Sequence, residues 1–236
     1  MFKDRVALIA GATGNLGQSV VNVFAKGGAS LALFDRSAER LKDSFPELAG
    51  REDCLFVECS DVSDPAIFGA SLNQALEKFG QVDIFVTLVG GFKSGSPLHE
   101  TPLATLDFML NLNVRTLYVA AQAVIPGMRV RGYGKIIAVG ARPGLMGTKN
   151  SAAYSAAKSG VIRLVESMGA ELKTDGINVN CVVPGTMDTP QNRADTPNAD
   201  FTRWLSTGSV ADVIGFLASD AARDIHGAAV PVYGRT

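Results

Sequence analysis

The sequence predicts an α/β protein: a parallel, doubly wound sheet of about seven strands with helices on both faces. Three observations carry this expectation. Short runs rich in Val, Ile, Leu and Ala alternate with longer amphipathic stretches along all 236 residues. The runs are apolar nearly continuously, as strands covered on both faces require. A glycine-rich turn then joins the first run directly to the first helical stretch.

The strand-like runs are 5–10, 30–34, 54–59, 82–89, 134–140, 177–183 and 228–233. The helix-like segments between them are 15–27, 37–45, 64–79, 102–128, 152–174 and 209–219. Asp64-Pro65 and Thr101-Pro102 each place a capping side chain before a proline at the first helical position. No linker, repeat or low-complexity stretch divides the chain, so 1–236 is expected to be one domain. Residues 186–208 differ, being polar and rich in Pro, Thr and Asp, and are expected to form a long loop over the substrate, a lid.

Composition narrows the function. The 22 basic and 23 acidic residues give a net charge of −1 with no basic cluster, which argues against nucleic acid or an anionic membrane as partner. No apolar run approaches the roughly 18 residues of a membrane span. The amino terminus passes straight into a strand-like run, so no signal peptide is expected. Cys54, Cys59 and Cys181 lie in apolar runs and read as reduced thiols, consistent with a cytoplasmic protein. His99 and His226 stand apart from any Cys, Asp or Glu at ligand spacing, so no metal is expected.

The turn after the first strand reads Gly-Ala-Thr-Gly-Asn-Leu-Gly, with Gly11, Gly14 and Gly17 opening the helix. Glycines there allow a tight turn and let backbone N–H groups approach a pyrophosphate. Asp35 ends the second strand, where a carboxylate can accept both adenosine-ribose hydroxyls and repel a 2′-phosphate. That favours NAD, although the adjacent Arg36 can accommodate the phosphate of NADP. Asp61-Val62, after the third strand, lies where an adenine would. In such sheets the ligand sits beyond the carboxyl ends of the strands. Those ends also carry Val89-Gly90-Gly91, Gly140-Ala141 and Pro184–Thr189.

Tyr154 and Lys158 stand four residues apart on the helix after the fifth strand and share one side of it. A nearby ammonium lowers a phenol's pKa, which would fit the Tyr for acid–base work near neutrality.

Taken together, the Gly motif at 11–17, Asp35, Asp61-Val62, LNV around Asn113, YSAAK at 154–158, INVNCVVPGTMDT at 177–189 and the ending at 216–234 resemble the short-chain dehydrogenase/reductase family over the whole chain. The resemblance implies a Rossmann-like fold and a nicotinamide-dependent oxidoreductase acting on a small molecule. Tyr154 would be the acid/base, Lys158 its tuning and ribose-binding partner, and Asn113 the holder of a helix kink and a water. The cofactor, NAD with NADP as the alternative, would meet Gly11, Thr13, Asn15, Leu16, Gly17, Asp35, Arg36, Asp61, Val62, Val89, Gly90, Tyr154, Lys158, Pro184, Gly185 and Thr189. Thr189 would bond the carboxamide. The family also implies a homo-oligomer, a dimer or tetramer, built through helices 102–128 and 152–174 and the C-terminal strand.

The departures are as informative. The family's serine, which hydrogen-bonds the substrate oxygen, is replaced by Ala141, and its Asn-Asn-Ala-Gly after the fourth strand is Thr87-Leu88-Val89-Gly90. Losing one such donor costs about 10²–10³ in rate where charge develops on oxygen. The dihydropteridine reductase branch also keeps Tyr-x3-Lys with Ala for Ser and has Gly-Gly-aromatic after strand four, as in Gly90-Gly91-Phe92. Three readings stay open: a reductase of quinonoid or conjugated acceptors, an ordinary carbonyl/alcohol dehydrogenase with a substitute for the Ser, and a non-catalytic dinucleotide-binding protein. Substrate choice would lie in 91–99, 142–151 and 186–208, where Phe201 and Trp204 either cover the substrate or anchor the loop.

Overall fold

A computed structural model describes residues 1–235 of the chain. Seven strands form one sheet: β1 (Val6–Ala10), β2 (Ser30–Asp35), β3 (Cys54–Glu58), β4 (Ile84–Thr87), β5 (Gly134–Val139), β6 (Ile177–Pro184) and β7 (Ala229–Val232). Their order is β3-β2-β1-β4-β5-β6-β7, and every neighbouring pair is parallel. The predicted seven-stranded, doubly wound sheet is therefore present. Its order reverses between β1 and β4, where Ala10 pairs with both Phe34 and Thr87, so the loops after β1 and β4 open a crevice.

Helices cover both faces. One face carries α3 (Pro65–Phe79), α5 (Thr116–Arg131) and α7 (Ala152–Leu172). There Phe34 and Phe85 pack with Phe68 of α3, Val124 and Met128 of α5, and Val161 and Val165 of α7. The opposite face carries α1 (Gly17–Lys26), α2 (Ala38–Ser44) and α9 (Thr207–Ala218), with Ile9, Leu33 and Val86 against Phe24, Leu41 and Ile214. Each large apolar side chain removed from water contributes about 1.5–3 kcal/mol. Near the last crossover, Asn180 is fully buried, accepts from Ala228 N at 2.9 Å and donates to Ile225 O at 2.8 Å. Those bonds dock the approach to β7 onto β6.

Several sequence expectations change. The helix placed at 102–128 is instead α4 (Leu103–Leu110), a wider π-helical turn at Asn111–Arg115, and α5. Thr101 does not cap it: its hydroxyl donates to Pro97 O at 2.9 Å, and no side chain caps the helix start at Pro102. The joined stretch Leu103–Arg131 has 29 residues and a mean hydropathy of 1.2 over 18 of them, enough by length and composition to cross a membrane. It was not legible as an apolar run because polar and small residues interrupt it, and 44% of that window is buried against the rest of the molecule.

Residues 186–208 are not a bare loop either. They hold α8 (Pro190–Asp195), a 3₁₀ turn at Phe201–Arg203 and a bridge from Met187 to Leu205. Thr189 caps α8 through Asn192 N at 3.2 Å. The rings of Phe201 and Trp204 lie 4.8 Å apart, with the Arg193 guanidinium 4.6 Å from Phe201, so both aromatics pack within the segment. A short helix the sequence did not suggest, α6 (Arg142–Leu145), follows β5.

Candidate active site

The glycine turn forms a cradle of bare backbone. Gly11 has φ +81°, a region open mainly to glycine, and its N–H donates to Phe34 O at 2.9 Å. A Cβ on Gly17 would drive into the Ala12 carbonyl, so only glycine lets α1 start this close to β1. No side chain caps the start of α1 at Leu16. Those first-turn N–H groups and the helix dipole suit a pyrophosphate. In front of them lies a trough of about 350 Å³, with Thr13, Gly14, Asn15 and Gln18 on one wall and Asp188, Thr189, Pro190 and Thr207 on the other.

Asp35 is buried at the end of β2. Its Oδ2 accepts from Thr13 N at 3.0 Å and Thr13 Oγ1 at 2.8 Å, and its Oδ1 accepts from Arg36 N at 2.9 Å. The carboxylate thus ties β2 to the glycine turn, a link the sequence reading did not foresee. Arg40 approaches to 3.9 Å. Asp61 is engaged locally: its Oδ1 accepts from Ser63 N at 2.8 Å and Ser63 Oγ at 2.7 Å, shaping the turn before α3. Val62 is buried beneath that turn.

Across the crevice, three elements meet around a buried lysine. Lys158, on the second turn of α7, is 6% exposed and donates to Val139 O at the end of β5, at 2.9 Å. Asn113, in the π-helical turn, accepts from Gly91 N at 3.2 Å and donates to Met109 O at 3.0 Å and Gly91 O at 3.3 Å. A Cβ on Gly90 would stand 2.9 Å from Asn113 Oδ1 and 3.3 Å from Lys158 Nζ. Glycine at 90 therefore lets the amide and the ammonium share one space. Gly144 of α6, which sequence reasoning missed, plays a matching part. A Cβ there would lie 2.7 Å from the Lys158 carbonyl carbon, so α6 can rest directly on α7. The Arg-Pro-Gly triplet at 142–144 was the only available signal.

Tyr154 lies one turn before Lys158, and Phe92 packs perpendicular to it with centroids 4.8 Å apart. Burial pushes the phenol up to about 12, with no compensating charge effect from Lys158. The expected lowering by the ammonium is therefore absent here: Lys158 gives its hydrogen bond to Val139, and burial draws its own pKa down to about 8. Ala141, in place of the family's serine, is buried in extended backbone just before α6. Ser159 Oγ donates to Gly144 O at 2.8 Å, and Ser151 Oγ reaches only Lys149 O, at 3.5 Å. Pro184 closes β6, and the N–H of Gly185 is taken by Val232 O at 2.8 Å. Thr189 Oγ1 already accepts the α8 cap, which leaves its O–H to donate.

The lowered lysine has a consequence for stability. Its ordinary pKa is 10.5, so between about pH 8 and 10.5 the unfolded chain binds a proton that the folded chain has released. Stability then rises with pH across this window, and the burial penalty is complete below it. Lys158→Met is expected to unfold at higher urea than the wild type at pH 7, with the gain shrinking by pH 10. A constant difference between the two pH values would show that Lys158 is not desolvated.

Comparison with known proteins agrees with this architecture. The family model described as short chain dehydrogenase matches residues 5–200. The chain is 32% identical over 243 residues to cis-4-hydroxycyclohexanecarboxylate dehydrogenase of Sinomonas cyclohexanicum, covering 99% of this chain and 96% of that one. It is 30% identical over 244 residues to 2-(R)-hydroxypropyl-CoM dehydrogenase of Xanthobacter autotrophicus, covering 98% of each. The crystal structure of levodione reductase superposes with a TM-score of 0.90 at 29% identity, covering 99% of this chain and 98% of that one. The chain belongs to the short-chain dehydrogenase family and is an NAD(P)-dependent oxidoreductase.

Proposed function

We propose that the chain transfers hydride between a nicotinamide dinucleotide, NAD in preference to NADP, and a small organic substrate, with Tyr154 as the proton donor and acceptor. The observation that carries this reading is the packing of buried Lys158 and Asn113 into the space Gly90 leaves, a helical turn from Tyr154. The bound dinucleotide supplies the hydride and, when oxidised, a positive charge that favours phenolate. The chain does the rest. Gly11, Thr13, Asn15, Leu16 and Gly17 present backbone to the pyrophosphate, and Asp35 meets the adenosine ribose beside Arg36. Asp61 and Val62 border the adenine. Val89, Gly90, Pro184, Gly185 and Thr189 flank the nicotinamide, with Thr189 donating its remaining O–H. Lys158 holds the nicotinamide ribose, and Asn113 keeps the Gly90-Gly91 turn open. The segment 186–208 closes over the trough as part of the same 1–236 domain.

Ala141 leaves the substrate oxygen without the family's usual hydroxyl donor. An acceptor that delocalises its developing charge, a quinonoid or conjugated one, loses least by this. A second reading, an ordinary ketone/alcohol dehydrogenase, draws support from the relatives, whose names specify hydroxylated substrates. Exposed Leu103, Phe108 and Tyr118 on α4 and α5 support assembly as a dimer or tetramer, and three buried free cysteines suit the cytoplasm.

Tyr154→Phe is expected to cut NADH-dependent turnover by about 10²–10⁴ while leaving NADH affinity nearly unchanged. NADH is expected to bind more tightly than NADPH. An unchanged rate in Tyr154→Phe rules out the assigned acid/base. Ala141→Ser separates the two substrate readings. With a conjugated acceptor the rate should stay within about threefold, while a simple ketone should gain about 10². Wild-type rates as high on the ketone as on the conjugated acceptor favour the second reading.

A further inference from the structure

A second cavity, of about 100 Å³, reaches as far as Ala153, the residue before Tyr154, and is used by nothing described above. Lys93, Ser96, Thr101, Thr105, Asn150 and Ser151 are among its lining residues, and no carboxylate lines it. It lies between the starts of two helices. Pro102 precedes α4 and Ser151 precedes α7, and neither helix has a side-chain cap. In α4 the Thr105 N–H is taken by Pro102 O at 2.8 Å, but no side chain takes the N–H groups before it or those at the start of α7, and both dipoles place positive potential there.

A separate feature points to a ligand. Thr105 is only 7% exposed and lines the cavity, yet its hydroxyl has no hydrogen-bond partner among the described residues. The oxygen is not sealed from solvent, so it can be reached from the cavity it lines. Ser151, 8% exposed, makes only the 3.5 Å contact to Lys149 O. Lys93 supplies a full positive charge and forms no ion pair among the described residues. The nearest carboxylate in sequence, Glu100, lies 3.5 Å from His99 instead. The two loops forming the rim are bolted together: Gly95 N donates to Asn150 O at 2.9 Å, with Gly95 at φ +121° and Asn150 at φ +59°.

We propose that this cavity is a subsite for the carboxylate of the substrate, so that the substrate class is a small organic acid carrying its reactive carbon some ångströms from the carboxylate. The position fits. Ser151 begins the helix that carries Tyr154, about 4.5 Å further along its axis. Phe92, the neighbour of Lys93, packs against the Tyr154 ring. The carboxylate would accept from Thr105, Ser151 and the first N–H groups of α7 and pair with Lys93. The volume suits a carboxylate and the carbons next to it. This proposal rests on the oxidoreductase reading only for the identity of the ligand as substrate.

The test is calorimetric titration of the NADH-loaded protein with cyclohexanecarboxylate and with the neutral cyclohexanecarboxamide, at fixed low salt. The carboxylate is expected to bind at least tenfold tighter than the amide. Lys93→Gln should remove most of that difference, Thr105→Val should weaken the carboxylate several-fold, and Lys93→Arg should keep it. Equal binding of acid and amide overturns the subsite, as does no binding of either, or carboxylate affinity unchanged in Lys93→Gln. Tyr154→Phe keeps the two proposals apart. It should bind cyclohexanecarboxylate as the wild type does while losing turnover. Carboxylate selectivity in a protein that turns over no acceptor would leave the subsite standing and remove the catalytic role of Tyr154.

Discussion

One buried ammonium constrains the carboxyl edge of this sheet. Lys158 is almost wholly removed from water, and its hydrogen bond goes to the carbonyl at the end of β5. An unpaired buried charge is costly, and the lowered pKa of Lys158 expresses that cost. The surrounding elements can be read as what permits it. Gly90 gives up a side chain so that the ammonium and the Asn113 amide fit. Asn113 holds the Gly90-Gly91 turn through two hydrogen bonds to Gly91, a third to Met109 O ties it to α4, and the π-helical turn sets it in place. Gly144 lets α6 lie against the Lys158 backbone.

The two halves of the crevice are joined by different means. At the nucleotide end, Asp35 bonds Thr13 through backbone and hydroxyl, so the strand end and the glycine turn move as one unit. At the chemical end, neighbouring loops are coupled by the Gly95–Asn150 bond and by Phe92 on Tyr154. The first arrangement presents backbone N–H groups. The second surrounds a phenol whose pKa burial has raised to about 12. Burial thus keeps the phenol protonated near neutrality, while the lysine, drawn down to about 8, still carries most of its charge there in the cofactor-free protein.

Most of the fold was legible because its signals are local. Continuous apolar runs gave the strands to within about two residues, and Asp64-Pro65 marked the start of α3 through a side chain that does cap it. The same kind of signal stands at Thr189-Pro190, within a stretch whose composition suggests a loop, and Thr189 caps α8 there. At Thr101-Pro102 it misled, because the threonine hydroxyl turns back to Pro97. The Tyr-Lys pair and the glycine motif were visible as spacings. The environment that sets their chemistry was not. Whether Lys158 would face the phenol or Val139 depends on β5, α6 and the π-helical turn arriving together. The cavity of Lys93, Thr105 and Ser151 draws on three separate segments for the same reason.

The missing side chain of Gly90 is the gap that Lys158 and Asn113 occupy. The most direct measurement is NADH turnover by Gly90→Ala alongside its affinity for AMP, which tests only the distant nucleotide end. The added methyl should displace the amide and the ammonium, cutting turnover by about 10² or more while AMP binds within about threefold of wild type. A folded Gly90→Ala protein that turns over at the wild-type rate would contradict the account.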